Sequence, residues 1–230
     1  MNFNPSISSN LGQQAYQILR EMIITLQFKP GQTIYETEIA NMLNISRTPT
    51  RDAFQLLISE GLVEVLPQRT KRIVSIAESK VKESVFVRLS LENSAFKLVA
   101  GNWKDSDRYA QAEKQIQRIL DEQRNASAEQ DVKQFLQLDE AFHTTILQLA
   151  GNETLLSVVY QMRGHLNRFR FLAMKELKQT GHLIEEHEKL LAYLKGREKN
   201  KIERLLEQHI GNVGPEIERL CKAFPDYFLD

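Results

Sequence analysis

Four side chains in the second half of the chain, Asp139, His143, His187 and His209, combine residue types and spacing that suit a divalent metal ion. Asp139 and His143 stand four apart, so on a helix they share one face. The apolar residues Val132, Phe135, Leu136, Phe142, Ile146 and Leu149 recur around them at helical spacing, which places both groups on the stripe that a helix turns towards a core. His187 falls in the middle of a second stripe made by Leu183, Ile184, Leu190, Leu191 and Leu194, and His209 in a third that runs from Ile202, Leu205 and Leu206 to Val213, Ile217 and Leu220. Ionisable groups on buried faces need partners. A lone core histidine ordinarily finds a hydrogen bond and nothing more. One carboxylate and three imidazoles from three helices instead make a donor set for Zn²⁺, Ni²⁺, Mn²⁺ or Fe²⁺, zinc being the first expectation, with positions left for water or a ligand oxygen. The sole cysteine, Cys221, leaves no cysteine cluster and no internal disulfide to consider.

Other polar residues stand near these stripes. Arg88 and Glu92 border the inward side of a helix marked by Val81, Val85, Leu89 and Val99. A guanidinium there suits a two-pronged bond to a ligand carboxylate, or a salt bridge between helices or subunits. His165, beside the stripe Val158, Met162, Leu166 and Phe169, is expected to line a cavity without ligating, and His182 to lie at the surface. Arg163, Arg168 and Arg170 are further ligand candidates that spacing does not rank.

These residues need a helical scaffold, and residue usage changes near position 77 in a way that supplies one. From there to about residue 224, Gly and Pro are scarce and amphipathic patterns follow one another. The expectation is a mainly α chain: residues 1–76 a winged helix-turn-helix, and residues 77–230 an antiparallel all-α bundle of six or seven helices. In the first part Ala15, Ile18, Leu19, Met22, Ile23 and Leu26 make a helical stripe closed by Lys29, Pro30 and Gly31. Thr37 is the expected cap of a short helix that ends at Asn44, and Ser46 the cap of another through Ser59. Residues 62–66 and 72–76 read as strands joined by a turn at 67–71.

If Ala53, Phe54, Leu57 and Ile58 anchor the second short helix, the opposite face presents Arg47, Thr48, Thr50, Arg51 and Gln55, with Arg47, Arg51 and Gln55 in one row. Guanidinium groups suit guanine edges and phosphates, and hydroxyls at a helix start suit phosphate oxygens. The hairpin tip adds Arg69, Lys71 and Arg72. The 30 basic and 30 acidic residues of the whole chain cancel, so any nucleic-acid contact rests on this local clustering.

Residues 11–76, with Pro30-Gly31, Ser46-Arg47-Thr48-Pro49-Thr50-Arg51-Asp52-Ala53 and Glu60-Gly61-Leu62-Val63, resemble the GntR family of bacterial transcriptional regulators. One departure is Thr70, where glycine is usual. The helical part, about 79–224, resembles the ligand-sensing FCD domain of the FadR-type branch, most distinctly at Asp139-Glu140-Ala141-Phe142-His143 and Ala150-Gly151-Asn152. The resemblance implies operator contacts by the matching arginines, a wing in the minor groove, metal ligation by Asp139, His143, His187 and His209, and a small carboxylate effector rather than an acyl-CoA.

The function expected is therefore a homodimeric regulator on a pseudo-palindromic double-stranded operator, its affinity set by a small-molecule carboxylate at the metal site. A metal-dependent hydrolase of the helical-bundle type, or a regulator with a purely structural metal, is the alternative. The polar residues 1–10 carry no signal-peptide pattern and no stretch reaches a membrane span, so a cytoplasmic protein without a membrane partner is expected.

Overall fold

A computed structural model describes residues 11–67 and 70–229, with Arg163 described by its backbone alone. The first three helices are α1 (Leu11–Ile24), α2 (Glu36–Leu43) and α3 (Arg47–Ser59). Asn44, in the left-handed region at φ 53°, makes the tight turn between α2 and α3. The asparagine side chain tolerates that conformation better than most. α2 starts two residues earlier than a Thr37 cap implies: Tyr35 holds the cap position, and Glu36 and Glu38 occupy the first turn, where the helix dipole favours negative charge.

The wing is a three-stranded antiparallel sheet in the order β1-β3-β2, from β1 (Thr33–Ile34), β2 (Val63–Val65) and β3 (Lys71–Ile73), with Val63 opposite Ile73 and Thr33 opposite Arg72. Its two hairpin strands are shorter than the sequence pattern suggests, and β1 is too short to show a period. Ala15, Leu19, Ile23, Ala53, Phe54, Leu57, Leu62 and Ile73 form the core beneath. Gly61 closes α3 at φ +71°, a conformation that side chains rarely adopt.

Seven further helices are described: α4 (Glu78–Asn102), α5 (Asp107–Ala128), α6 (Val132–Leu149), α7 (Glu153–Leu177), α8 (Thr180–Lys195), α9 (Lys199–Gly211) and α10 (Gly214–Ala223). They bury one large core that includes Phe96, Ile116, Phe142, Phe169, Leu190 and Leu206. The stripe from Ile202 to Leu220 is two helices rather than one. Pro215 lies in the first turn of α10, because inside a continuous helix its ring would strike the carbonyl four residues back and remove a hydrogen bond.

The two parts are in direct contact. Ile24 of α1 packs with Ala126, Phe135, Leu136 and Phe171 of the bundle. Arg168 of α7, fully buried, donates to the carbonyl oxygen of Val74 and lies 2.8 Å from His165 Nδ1. A short parallel ladder joins β4 (Ile76–Ala77) to β5 (Phe228–Leu229), so the segment between the two parts is itself hydrogen-bonded.

Phe54 is 0% exposed and packs α3 onto the N-terminal core. Phe54→Ala is expected to cost about 3–5 kcal/mol, read as a lower denaturant midpoint of the transition that includes the N-terminal unit.

Candidate metal centre and nucleic-acid interface

The fold brings Asp139 and His143 of α6, His187 of α8 and His209 of α9 together, with their ligand atoms within 4.8 Å of one another. His209 Nε2 lies 3.1 Å from His143 Nε2 and 3.2 Å from His187 Nε2. Each ring is held from behind through Nδ1: His143 is 2.6 Å from Glu92 Oε2, His187 is 3.0 Å from Gln123 Oε1, and His209 is 2.7 Å from Glu186 Oε2. Oxygen acceptors at those distances fix the ring proton on Nδ1, so the three inner nitrogens face one another with lone pairs. A proton on one of them satisfies one contact and leaves another nitrogen without a donor. A divalent cation satisfies all three. The spacing fits: nitrogens about 2.1 Å from one ion stand about 3.0 Å apart at a right angle and about 3.4 Å apart at a tetrahedral one.

Burial and charge reinforce that state. Burial lowers His143 to about 4 against the pull of Glu92, and lowers His187 well below its ordinary value, helped by His209. Both rings are therefore neutral and able to ligate near pH 7. Burial opposes ionisation of Asp139, but the positive charge of Arg170, with Arg88 beyond it, outweighs it and holds the carboxyl well below the usual range. Asp139 Oδ2 forms an ion pair with Arg170 at 2.7 Å and Oδ1 lies 3.6 Å from His187 Nε2, beyond hydrogen-bond reach, so Oδ1 has no hydrogen-bond partner among the described residues. That is a buried acceptor left for a cation.

Beside the centre lies a cavity of about 60 Å³ lined by Arg88, Arg170 and His209, by apolar groups such as Val85 and Phe169, and by Gln179 and Glu216. Arg88 donates to Glu92 at 2.5 Å, and its NH2 nitrogen has no partner among the described residues. Burial raises the Glu216 carboxyl, while hydrogen bonding to Gln179 and the charge of Arg170 work against it.

Two ligand-site expectations change. Glu92 stands behind His143 as a positioning group rather than facing a ligand, because both its oxygens are engaged by Arg88 and His143. His165 lies away from the cavity, at the joint between the two parts, with its Nε2 where a Cβ on Gly61 would meet it at 3.1 Å. Burial and the neighbouring Arg168 lower His165 to about 4. Of the arginines that spacing did not rank, Arg170 lines the cavity and Arg168 the joint, and the side chain of Arg163 lies outside the described residues. His182 is exposed, as expected. Gln123 and Glu186 had not been singled out. Gln123 occupies a buried stripe with Ile116, Ile119 and Leu120, so it carries the same signal as the histidines, a polar residue on an apolar face. Glu186, next to His187, carries no comparable signal.

On α3, Arg47, Thr48, Arg51 and Gln55 are exposed along one side, opposite the buried Ala53, Phe54 and Leu57. Thr50 is buried, and its hydroxyl donates to the carbonyl of Ser46 at 2.9 Å, so it braces the helix start. Lys71 is also buried, 2.5 Å from Glu36 with its ammonium over the Phe54 ring, which removes it from the wing tip. Arg72 is half-exposed and paired with Glu64 at 2.8 Å. Arg69 lies outside the described residues.

A helix-turn-helix with a small wing, joined to a helical bundle with an Asp/His₃ cluster at its heart, is the architecture of a bacterial transcriptional regulator. Residues 11–73 match the gntR family of bacterial regulatory proteins and residues 83–212 match the FCD domain; the chain belongs to the GntR family, with an FCD domain after its DNA-binding part. It is 26% identical over 227 residues to the HTH-type transcriptional repressor RspR of Escherichia coli (strain K12), covering 99% of this chain and 96% of that protein. It is 28% identical over 189 residues to the Nta operon transcriptional regulator of Aminobacter aminovorans, covering 82% of this chain and 86% of that one. The solved structure of E. coli McbR/YncC shares the fold at a TM-score of 0.77 with 21% identity, over 93% of this chain and 98% of that one. No described helix is long and apolar enough to cross a membrane.

The support behind the rings is testable apart from the ligands themselves. Gln123→Leu removes the acceptor at His187 Nδ1, and isothermal titration with Zn²⁺ should show affinity reduced by about 10–100-fold without loss of helical circular dichroism.

Proposed function

We propose that this GntR-family regulator binds a pseudo-palindromic operator as a homodimer, and that a small carboxylate effector, held beside a divalent ion, controls its affinity for DNA. The observation that carries the proposal is the three inward imidazole nitrogens beside a cavity lined by Arg88, whose guanidinium pairs with Glu92 but keeps one nitrogen without a partner among the described residues. Asp139, His143, His187 and His209 would hold the ion, zinc being the first expectation, and the ion would supply positive charge to a ligand oxygen. Arg88 offers its free NH2 nitrogen to the same anion. The cavity has room for on the order of five water-sized groups, which suits a short acid.

Helix α7 offers a route from this cavity to the DNA-binding part. Arg170 pairs with Asp139 at the cavity wall, and Arg168, two residues away, grips Val74 in the connecting segment. An anion that competes with Asp139 for Arg170 would bias the position of α7, and with it the hold on Val74. At the other end, Arg47, Thr48, Arg51 and Gln55 are the residues of α3 offered to the major groove, and Arg72 with Arg69 the candidates from the wing. Pairing of two copies has support in the outer face of α4, where Phe86 and Leu98, 72% and 49% exposed, flank the small Ser90 and Ser94.

Fluorescence anisotropy on a selected operator tests both halves. Arg51→Ala should cost about 1–3 kcal/mol of specific binding and relax sequence preference; equal weakening on every DNA would move Arg51 to a phosphate contact. Arg168→Met should still bind metal and effector but lose the change in operator affinity that the effector produces. A full effector response in that variant would remove Arg168 from the coupling.

A further inference from the structure

Lys71, in the hairpin of a DNA-binding part, is not left free for phosphates but is held inside the protein. Its side chain is 10% exposed, and its Nζ lies 2.5 Å from Glu36 Oε1 and 5.1 Å from the centre of the Phe54 ring. The three residues belong to three elements: Lys71 opens β3, Glu36 opens α2, and Phe54 lies within α3. We propose that the Lys71–Glu36 pair aims the wing relative to α3. Both residues are then positioning groups for operator binding, acting through Arg72 rather than through contacts of their own with DNA. This rests on the wing contact proposed above and adds to it the pair that directs the wing.

Lys71 is the last ladder residue before the hairpin turn, opposite Ile34 on one side and Val65 on the other. Beyond it the Leu66 N–H donates to the Thr70 carbonyl at 2.7 Å, a bond within the hairpin that leaves the hairpin's angle to α3 unset. Ile73 anchors the strand in the core two residues further on, and Lys71, tied to the start of α2, supplies a second fixed point. Two points set a direction. Successive strand residues face opposite sides. Lys71 and Ile73 are buried and Arg72 between them is half-exposed, so holding Lys71 against Glu36 and Phe54 turns Arg72 outwards. An enclosed ion pair contributes little net stability, since desolvation offsets attraction, but it admits few alternative geometries. Direction, more than stability, is what this pair supplies. Glu36 also sits where the α2 dipole favours an acid, but that role asks only for negative charge near the helix start and predicts no dependence on Lys71.

Fluorescence anisotropy on an operator duplex selected in vitro tests this with the full-length protein, each variant's denaturant midpoint being recorded beside its affinity. Lys71→Met keeps an apolar stem over Phe54, and Glu36→Ala keeps a good helix former at the start of α2. Each should weaken operator binding by about tenfold, the size of one lost contact, and the double variant should be no worse than either. Lys71→Arg, which can still pair with Glu36, should bind within about twofold of the unaltered protein. Arg72→Ala should weaken the unaltered protein by about tenfold but add less than about twofold in the Lys71→Met background, a coupling that a general loss of stability does not produce. Removing an acid near DNA raises affinity if Lys71 itself meets a phosphate, so tighter or unchanged operator binding by Glu36→Ala would overturn the assignment. The full cost of Arg72→Ala in the Lys71→Met background would overturn it too. Arg72→Ala without effect in the unaltered protein removes the wing contact, and this inference with it.

Discussion

Three imidazole rings, each pinned from behind by an oxygen acceptor, are forced to point bare nitrogens at one another. The rest of the bundle is organised around that contact. His143, His187 and His209 come from α6, α8 and α9; the groups behind them, Glu92, Gln123 and Glu186, come from α4, α5 and α8; Arg170 of α7 holds Asp139. Six of the seven bundle helices therefore contribute a side chain to one small volume. The interaction is unfavourable without a positive charge at its centre, and a low-dielectric interior makes that charge count heavily.

Much of this was legible in the sequence because a polar residue on an apolar stripe breaks the pattern. Asp139, His143, His187 and His209 stand out in that way, and the exposed residues Arg47, Thr48, Arg51 and Gln55 stand out through the opposite pattern, a polar row behind Ala53, Phe54 and Leu57. What stayed hidden depends on contacts between elements distant in sequence. Lys71 reads as a tip residue until Glu36 and Phe54 are folded against it, and Thr50 reads as a surface hydroxyl until it donates to Ser46. Periodicity placed His165 near a buried face, but the partner of that face turned out to be the end of α3, not the cavity. The break between α9 and α10 was foreshadowed by Gly211, Gly214 and Pro215, whose chemistry outweighed an otherwise continuous stripe.

The joint between the two parts is unusual for what it buries. Arg168 is fully enclosed, and its guanidinium is held by a backbone carbonyl and a histidine rather than directly by a carboxylate. Burial lowers it to about 10, still well above neutrality, so the joint keeps a fixed positive charge. Glu60, which binds Tyr16 and Arg20 on the DNA-binding side at 2.8 Å, supplies the compensating field. A charge held so sparingly has few alternative arrangements, which suits a contact that transmits small displacements.

The ladder between Ile76–Ala77 and Phe228–Leu229 has a mechanical meaning of its own. A connecting segment that is free can stretch or coil, and lets two DNA-reading heads follow half-sites at different distances. Here that segment is clamped at one end by Arg168 on Val74 and at the other by the parallel strand, so it has almost no slack. If two such chains pair on an operator as proposed, the reach between their α3 helices would be dictated by how the bundles meet, and operators of one spacing would be favoured over neighbours a base pair longer or shorter.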